Sequence, residues 1–344
     1  MVAARTPSAA ALPRRRIGAR LEPTLIGFGG APLGDLYARL DETAAQGAVA
    51  AALDAGINLI DTAPLYGHGL SEQRIGAALR SVPRERVILS TKVGRWMDPR
   101  AGRGDGSGYV GGLPHRAVVD YSYDGALRAF EQSLIRLGTD RIDILLIHDV
   151  DRWTHGEAVE DHFRAAMSGA YRALVRLREE RAVGAIGVGV NEAGMCERFA
   201  QAGDFDVMML AGRYTLLEQG ALDRFLPLAE ARGIAVMLAG VFNSGILASG
   251  PRPGAYYNYA PAPPAILDRA RRIEAVCRAH GTPLAHAALA FPAAHPAVAS
   301  IVLGAVAAAE IRANVAAAAA TVPPALWQEL KAEGLLPPDA PTPA

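Results

Sequence analysis

The sequence has no excess of either charge and no long hydrophobic run. Acidic and basic residues number 35 each among 344, so the formal net charge is zero. That balance gives no general attraction to nucleic acid or to anionic lipid. Every apolar stretch meets a charge or a turn signal before it reaches the roughly 20 residues that span a bilayer. We therefore predict neither a nucleic-acid partner nor a membrane segment.

Cysteine is also scarce. The two cysteines, Cys196 and Cys277, both fall in predicted helices, which gives no disulfide framework and suits a reducing cytoplasm. Residues 1–16 contain alanine, proline and a short arginine run but no apolar core, so they are not a secretory signal. We predict a cytoplasmic protein with a disordered tail over residues 1–16, one domain over 17–336 and a short tail over 337–344.

Common phosphate and metal motifs are missing. The glycine-rich turn of residues 27–30 is followed by Pro32 where an open-sheet dinucleotide fingerprint requires its third glycine. No P-loop and no His-Glu-x-x-His zinc motif occur. Asp149, Asp151 and His155 lie close together in the chain, but their spacing is not that of a metal site. We predict no bound metal.

What the sequence does contain is an alternation of short apolar runs with helical patterns. Eight runs with intervening helices favour a closed α/β fold, the (β/α)8 TIM barrel, over an open sheet. Ser71 is predicted to cap the start of the helix that follows the second strand. The strands are predicted at residues 25–28, 58–60, 86–91, 142–147, 185–190, 207–210, 235–238 and 300–303.

Three longer segments interrupt this alternation, and each follows a predicted strand. They cover residues 96–121, 148–161 and 248–264. Long insertions in a compact domain are usually either functional or disordered. Because the carboxyl ends of barrel strands share one face, we expect these long loops to wall the mouth of an active site. The alternative is that they are mobile linkers.

Polar residues end three consecutive predicted strands. These residues are Asp61, Lys92 and His148, and Tyr66 follows five residues after the first of them. On a barrel these four side chains converge at the carboxyl face. Taken singly, each would more often be a turn, packing or surface residue. Their joint occurrence favours a catalytic site.

These residue types suit proton transfer at a carbonyl or hydroxyl oxygen. A free tyrosine has a pKa near 10, too high for ready proton exchange at neutral pH. A nearby ammonium stabilises tyrosinate, so Lys92 is expected to lower the pKa of Tyr66 while Asp61 holds the ammonium in place. His148 is expected to hydrogen-bond and orient the substrate oxygen.

The residues around these four positions resemble the aldo-keto reductase family, and the similarity extends from about residue 21 to about residue 314. The matching runs are Asp-Thr-Ala-x-x-Tyr-Gly at 61–67, Thr-Lys-Val at 91–93 and Ile-His at 147–148. The resemblance implies that Asp61, Tyr66, Lys92 and His148 form the family's catalytic tetrad, with Tyr66 as the general acid–base. It also implies a nicotinamide that carries the hydride and an N-terminal hairpin that caps the bottom of the barrel.

The family binds its nicotinamide cofactor, NAD or NADP, extended across the top of the barrel. By resemblance, Asn191 holds the carboxamide, residues 242–245 cover the pyrophosphate and Asn314 contacts the adenine. The full set of implied cofactor contacts is Gly29, Gly30, Asn191, Tyr214, Phe242, Asn243, Ser244, Gly245, Gly304 and Asn314.

Departures from the family pattern bear on the choice of cofactor. Gly304 stands where many NADP-dependent relatives carry a basic residue, and Glu310 stands where they carry an arginine for the 2′-phosphate. Because a carboxylate repels phosphate and suits a free ribose hydroxyl, NAD is expected to bind at least as well as NADP. Arg312 is the alternative partner for a phosphate. Ala211 replaces a glutamine beneath the nicotinamide, and Ala239-Gly240 replaces a stacking aromatic.

Residues 210–218 and 240–247, together with Asp149, resemble the aldose dehydrogenase branch of the family. That resemblance implies oxidation of an aldose such as L-fucose, D-arabinose or galactose at C1 to the lactone. The alternatives are pyridoxal oxidation, broad carbonyl reduction with NADPH, and a cofactor-sensing regulatory subunit of a membrane channel. The loop residues expected to contact the substrate are Arg95, Trp96, Asp149, Trp153 and Tyr257.

Overall fold

The structure of the protein is a computed structural model that describes residues 12–102 and 108–344. Eight parallel strands form a closed barrel in which each strand pairs with its neighbours, and the eighth pairs with the first through Ile26 opposite Ile301. The predicted (β/α)8 barrel is therefore confirmed. From first to eighth, the barrel strands are Ile26–Gly29, Leu59–Asp61, Ile88–Val93, Ile142–His148, Val183–Val190, Val207–Ala211, Ala235–Ala239 and Val298–Gly304.

The strand ends differ slightly from the sequence-based expectation in a way that matters for chemistry. Asp61, Lys92 and His148 lie inside the ends of the second, third and fourth strands, not in the loops after them. Lys92 stands opposite Leu146, and His148 stands opposite Gly189. Their backbone is thus fixed by the barrel, because parallel neighbours hold each strand from both sides.

Helices cover the outside of the barrel. The helix Tyr123–Leu137 begins where the Ser122 hydroxyl accepts a hydrogen bond from the Gly125 amide, and it ends at Gly138, whose φ of 62° is left-handed. A π-helical turn, Ala166–Ala170, separates two of the helices. The α-helices are Glu42–Asp54, Leu70–Leu79, Tyr123–Leu137, Arg152–His155, Val159–Ala165, Tyr171–Glu179, Ala193–Ala202, Phe225–Arg232, Ile246–Ser249, Pro264–Ala279, Leu284–Ala293, Ala308–Ala319 and Pro324–Ala332.

Apolar side chains fill the barrel interior and close one of its ends. Leu59, Ile144 and Val207 are buried together inside the barrel. Ile17 is fully buried in the same cluster, and it pairs with Leu21 across a tight antiparallel turn. The N-terminal hairpin cap is therefore present at the amino ends of the strands. Their carboxyl ends are left to form the site.

The predicted tails meet the barrel where the structure describes them. Residues 1–11 lie outside the described part of the chain. The Arg15 guanidinium donates to the carbonyls of Ala293, His295 and Val298 at 2.7, 2.9 and 2.6 Å, so the residues just before position 17 are anchored. Near the other end, the side chain of Ala340 is buried against the core.

The three long loops carry short elements of their own. The first contains an antiparallel pair, Arg95–Asp98 with Arg116–Val119, and includes residues 103–107, which lie outside the described chain. The second contains the helix Arg152–His155, and the third a small hairpin of Tyr256–Tyr257 with Ala260–Pro261. Within residues 12–102 and 108–344, no helix is long and apolar enough to cross a membrane.

Candidate active site

Lys92 and Asp61 form a buried ion pair at the carboxyl end of the barrel. The Lys92 ammonium donates to Asp61 Oδ2 and to the Thr62 carbonyl, both at 2.7 Å. The hydroxyl of Ser90 donates to the other carboxylate oxygen, Oδ1, at 2.7 Å. Both carboxylate oxygens are thus satisfied, as burial of a charged pair requires. The geometry fixes the position of the ammonium.

The rings of Tyr66 and His148 lie beside this pair. The Lys92 nitrogen is 4.9 Å from the centre of the Tyr66 ring. The Tyr66 and His148 ring centres are 5.9 Å apart with an interplanar angle of 83°, an edge-to-face arrangement. All four residues line one cavity of about 990 Å³. The structure therefore brings together the four side chains that the sequence placed at one face.

The pKa of Tyr66 moves in the direction opposite to our expectation. Burial raises the pKa of its phenol well above the usual value, and the carboxylates of Asp61 and Asp149 add to that rise. The expected lowering by Lys92 was wrong because its ammonium is already paired with Asp61, so the pair presents little net positive charge. In this cavity Tyr66 is a neutral phenol, which is the form that can donate a proton.

His148 is also uncharged at neutral pH. Burial lowers the pKa of its imidazole well below the usual value, and the cations of Lys92 and Arg95 lower it further. The Tyr121 hydroxyl donates to the His148 carbonyl at 2.8 Å, which fixes the end of the fourth strand. A neutral imidazole has one N–H donor and one acceptor nitrogen, so it can orient a substrate oxygen by a hydrogen bond without carrying a charge itself.

A second buried charge lies behind the site, and the sequence analysis assigned it no role. Glu72 is fully buried; it accepts hydrogen bonds from the Thr91 hydroxyl at 2.7 Å and from Arg136 at 2.6 Å. This contact ties the helix Leu70–Leu79 to the third strand one residue before Lys92. Local sequence patterns do not reveal this contact, because Arg136 lies 64 positions away from Glu72.

Ser71 does not cap a helix as predicted. The helix starts one residue earlier, after Gly69 with a φ of 98° and no side-chain cap. The Ser71 hydroxyl instead donates to the Gly30 carbonyl at 2.7 Å and lies 2.8 Å from the Thr62 hydroxyl. A Cβ at Gly30 would meet that hydroxyl at 2.8 Å. Gly30 thus serves close packing beneath the site.

Three of the five predicted substrate contacts line the cavity. They are Arg95, Asp149 and Trp153, and Arg95 donates to Asp149 Oδ2 at 2.9 Å. Asp149 has a left-handed φ of 55°. Burial raises the pKa of its carboxyl, although Arg95 opposes that change. A buried acceptor and a buried donor thus stand beside His148.

Trp96 and Tyr257 are not in the cavity wall. Successive residues of a strand face opposite sides, so Trp96 turns away where Arg95 turns inward. The Trp96 ring packs against the Arg128 guanidinium at 4.5 Å. The Tyr257 hydroxyl bonds to the Glu218 carboxylate. Sequence analysis also missed cavity-lining tyrosines on the long loops and near the first strand, namely Tyr37, Tyr109 and Tyr259.

Part of the predicted cofactor set lies in the same cavity. Gly29 and Gly304 pair with each other across the first and eighth strands and line it, as does Asn191. The Asn191 side chain donates to Asp151 Oδ2 at 2.9 Å, and Asp151 also caps the short helix Arg152–His155. The oxygens of Asp151 are therefore engaged in holding loop geometry.

The loop after the seventh strand borders this region. Asn243, Ser244 and Gly245 have successive left-handed φ values of 45°, 58° and 95°. Asn243 and Ser244 line a small pocket of about 30 Å³ next to the cavity, whereas Phe242 is half-buried against the core. The Ser244 hydroxyl accepts from the Tyr259 amide at 3.0 Å. This contact joins the predicted pyrophosphate loop to the third long loop.

Tyr214 and Asn314 lie elsewhere. The Tyr214 ring is buried in the core, 5.2 Å from Phe291 and 5.7 Å from His295 between ring centres. Its expected place beside the nicotinamide is therefore not what the structure shows. Asn314 is half-buried on the outer helix Ala308–Ala319, outside the wall of the cavity.

Glu310 lies in the first turn of the helix Ala308–Ala319, which follows the eighth strand. Its carboxylate Oε2 accepts a hydrogen bond from the Val306 amide at 2.9 Å, at the start of the helix Ala308–Ala319. Amides at a helix start are ready partners for an anion such as a phosphate. Here the protein's own carboxylate lies at the helix start and takes the Val306 amide of the turn just before it.

Comparison with known proteins agrees with this geometry. The model of the aldo/keto reductase family matches residues 25–333. A pyridoxal 4-dehydrogenase from Microbacterium luteolum is 43% identical over 328 residues, which cover 92% of this chain and 95% of the relative. A D-threo-aldose 1-dehydrogenase from a Pseudomonas species is 38% identical over 318 residues, covering 91% and 94%.

Solved structures show the same architecture. The holo form of the aldo-keto reductase AKR11C1 from Bacillus halodurans superposes with a TM-score of 0.72 at 28% identity. The match covers 94% of this chain and 96% of that one.

Proposed function

Because this chain belongs to the aldo/keto reductase family, we propose that it oxidises the C1 hydroxyl of a cyclic aldose to a lactone with a nicotinamide as hydride acceptor. One observation carries the proposal. The Lys92 ammonium stands between the Asp61 carboxylate and the Tyr66 ring, with the His148 ring at the edge of that phenol, all in one cavity. Proton exchange at an oxygen needs such a group within reach.

The four residues have distinct proposed roles. Tyr66 exchanges the proton at the reacting oxygen: as a neutral phenol it donates in the direction of carbonyl reduction, and in the reverse, oxidising direction its phenolate takes the hydroxyl proton as the hydride leaves C1. His148, held neutral, makes the second hydrogen bond that orients this oxygen. Asp61 and Lys92 hold their positions through the buried ion pair. Electrostatic placement of this kind acts most strongly in a dry site.

The residues present fit a nicotinamide. One side of the cavity is lined by small residues, which leave room for a flat ring, and the Asn191 carboxamide lies beside them. When bound, the nicotinamide takes up or supplies the hydride. We propose that the loop of residues 242–245 holds its phosphates. The small residues on this side of the cavity are Gly29, Gly189, Ala211, Ala239, Gly240 and Gly304.

We propose NAD as the preferred cofactor. The carboxylate of Glu310 already takes the Val306 amide, and its charge opposes a 2′-phosphate at the same turn. Arg312, which is exposed two residues further along the same helix, is the group that would weaken this preference for NAD.

A second candidate is the oxidation of pyridoxal. It is supported by the 43% identity to a pyridoxal 4-dehydrogenase, against 38% to a D-threo-aldose 1-dehydrogenase. Pyridoxal shares with the aldoses a ring that carries an oxidisable hydroxyl in its cyclic hemiacetal form. Both candidates therefore use the same chemistry at the reacting carbon and differ in the ring that the loops must accept.

A substrate panel tests the proposal. The wild-type protein is assayed with L-fucose, D-arabinose, L-galactose and pyridoxal, each with NAD⁺ and with NADP⁺. We expect multiple turnovers with an aldose, faster with NAD⁺, and a lactone as product. Turnover confined to pyridoxal would select the second candidate. Single-turnover or no hydride transfer with every compound would contradict the enzyme assignment.

A further inference from the structure

A series of tyrosines leads from the tetrad to the mouth of the cavity. The rings of Tyr66 and Tyr109 lie 6.1 Å apart between centres, tilted by 35°. Tyr37 and Tyr259 line the same cavity further out, where their side chains are 65% and 61% exposed. Exposed apolar residues that gather at one cavity mouth are typical of ligand-binding grooves.

The two outer tyrosines have strained backbones. Tyr37 has a φ of 65° and Tyr259 a φ of 63°, in the left-handed region that bulky residues seldom adopt. Backbone strain of this kind persists where the surroundings enforce it, and it clusters at ligand clamps. A glycine at either position would relieve the strain. The presence of an aromatic ring at both positions therefore indicates that the ring itself has a function.

Local contacts enforce both conformations. The Tyr259 amide donates to the Ser244 hydroxyl at 3.0 Å. Two residues before Tyr37, the Asp35 carboxylate is paired with the buried Arg74 guanidinium at 2.6 Å and accepts from the Leu40 amide at 3.0 Å. The outer rings are thus held on two loops that are far apart in the chain.

The outer rings face a shared space. Tyr37, Tyr109 and Tyr259 line one cavity. Burial raises the pKa of Tyr37, and the phenol of Tyr259 is among the groups that raise it further. The pKa of Tyr109 is likewise raised by burial first and then by Tyr66, Tyr259 and Tyr37, among other groups. The mouth of the cavity is therefore lined by aromatic rings.

We propose that Tyr37 and Tyr259 form an aromatic clamp that selects the ring form of the substrate over an open-chain aldehyde. The clamp binds a six-membered ring by its face, whether a pyridine or the C–H face of a pyranose. A rigid tyrosine ring offers a large flat contact at low cost in side-chain entropy. An acyclic aldehyde presents no such face. This inference rests on the proposed function, because it concerns the substrate of that same site.

Glycine variants give the sharpest test, because they remove the ring and relieve the backbone. For Tyr37→Gly and Tyr259→Gly, we expect KM for the ring substrate to rise roughly three- to tenfold each. The probe is L-fucose or pyridoxal, whichever the wild type oxidises with NAD⁺. For reduction of D-glyceraldehyde with NADH, we expect KM and kcat to stay within a factor of about two.

Two controls separate stacking from other roles. Tyr37→Phe and Tyr259→Phe keep the ring and should restore the wild-type KM for the ring substrate. Tyr256→Ala removes an exposed tyrosine of the same hairpin that is outside the cavity wall, and it should change neither KM. Melting temperatures should not fall in the glycine variants, because glycine suits a left-handed position.

The outcomes distinguish this inference from the proposed function. Equal rises in KM for both substrates, no rise for the ring substrate, or failure of the phenylalanine variants to restore it would overturn the clamp. A wild-type protein that transfers no hydride to any of these substrates would overturn the proposed function instead.

Discussion

Two regions of the site differ in almost every physical respect. The wall consists of Asp61, Lys92 and His148, which are buried at the ends of neighbouring barrel strands. The rim consists of Tyr37, Trp153 and Tyr259, which are on loops and more than half exposed. The barrel strands therefore fix the positions of the reacting groups, and the loops determine which substrates reach those groups.

Hydrogen bonding follows the same division. In the wall, both oxygens of Asp61 and two protons of Lys92 have partners at 2.7 Å. In the rim, the rings project into an open mouth and few polar contacts hold them. Changes in the wall should therefore affect rate and stability together, whereas changes in the rim should affect selectivity alone.

The largest effect is expected when the ion pair between Lys92 and Asp61 in the wall is broken. Lys92→Met leaves the Asp61 carboxylate buried without a counter-charge, which we expect to lower the free energy of unfolding by about 3–5 kcal/mol. Urea unfolding measures this change. Adding Asp61→Asn removes the stranded charge and should recover much of the stability without restoring hydride transfer. A double variant no more stable than Lys92→Met would show that the ion pair does not hold the wall.

An effect of intermediate size concerns the choice of cofactor. Glu310→Arg removes the carboxylate from the Val306 amide and adds a cation, so we expect the ratio of NADP to NAD affinity to rise about tenfold. Glu310→Gln removes only the charge and should give a smaller rise. Dissociation constants for the two cofactors provide the measurement, and an unchanged ratio would mean that the 2′-phosphate does not approach this turn.

The smallest effect is a pH dependence of stability that comes from His155, at the end of the short helix Arg152–His155 that also carries Trp153. Burial, then His162 and Arg95, lower the pKa of His155 from its usual 6.5 to about 4. Between these values the unfolded chain binds a proton that the folded protein does not, so stability should fall as pH drops from 6.5 towards 4. His155→Gln should flatten that part of the pH profile of the urea midpoint. A slope equal to wild type would contradict the assignment.

The wall could be predicted from the sequence because its signals are local. A strand that ends in a polar residue is visible in the order of residues, and three such strands give the spacing of Asp61, Lys92 and His148. The pKa direction of Tyr66 was not predictable in the same way. The direction of the shift depends on the burial of the phenol and on the neutralisation of the Lys92 charge by Asp61. Both depend on which residues lie close together in three dimensions.

The rim was predicted less well because loop geometry decides it. In the third long loop, Tyr257 was chosen, but a tight turn through Asn258 sends Tyr259 to the cavity instead. In the first long loop, strand alternation turns Trp96 away. The ring of Tyr214 was carried over from family resemblance, yet local packing places it in the core. Short-range spacing does not specify such turns.

The most direct test of the proposed proton transfer is single-turnover hydride transfer in Tyr66→Phe. We expect the rate to fall by a factor of about 10²–10⁴, because a general acid–base is lost, while the dissociation constant for NAD stays near the wild-type value. Tyr214→Phe, which removes a buried hydroxyl outside the cavity, should react like wild type. A rate for Tyr66→Phe within a few-fold of wild type would contradict the claim that this phenol moves the proton.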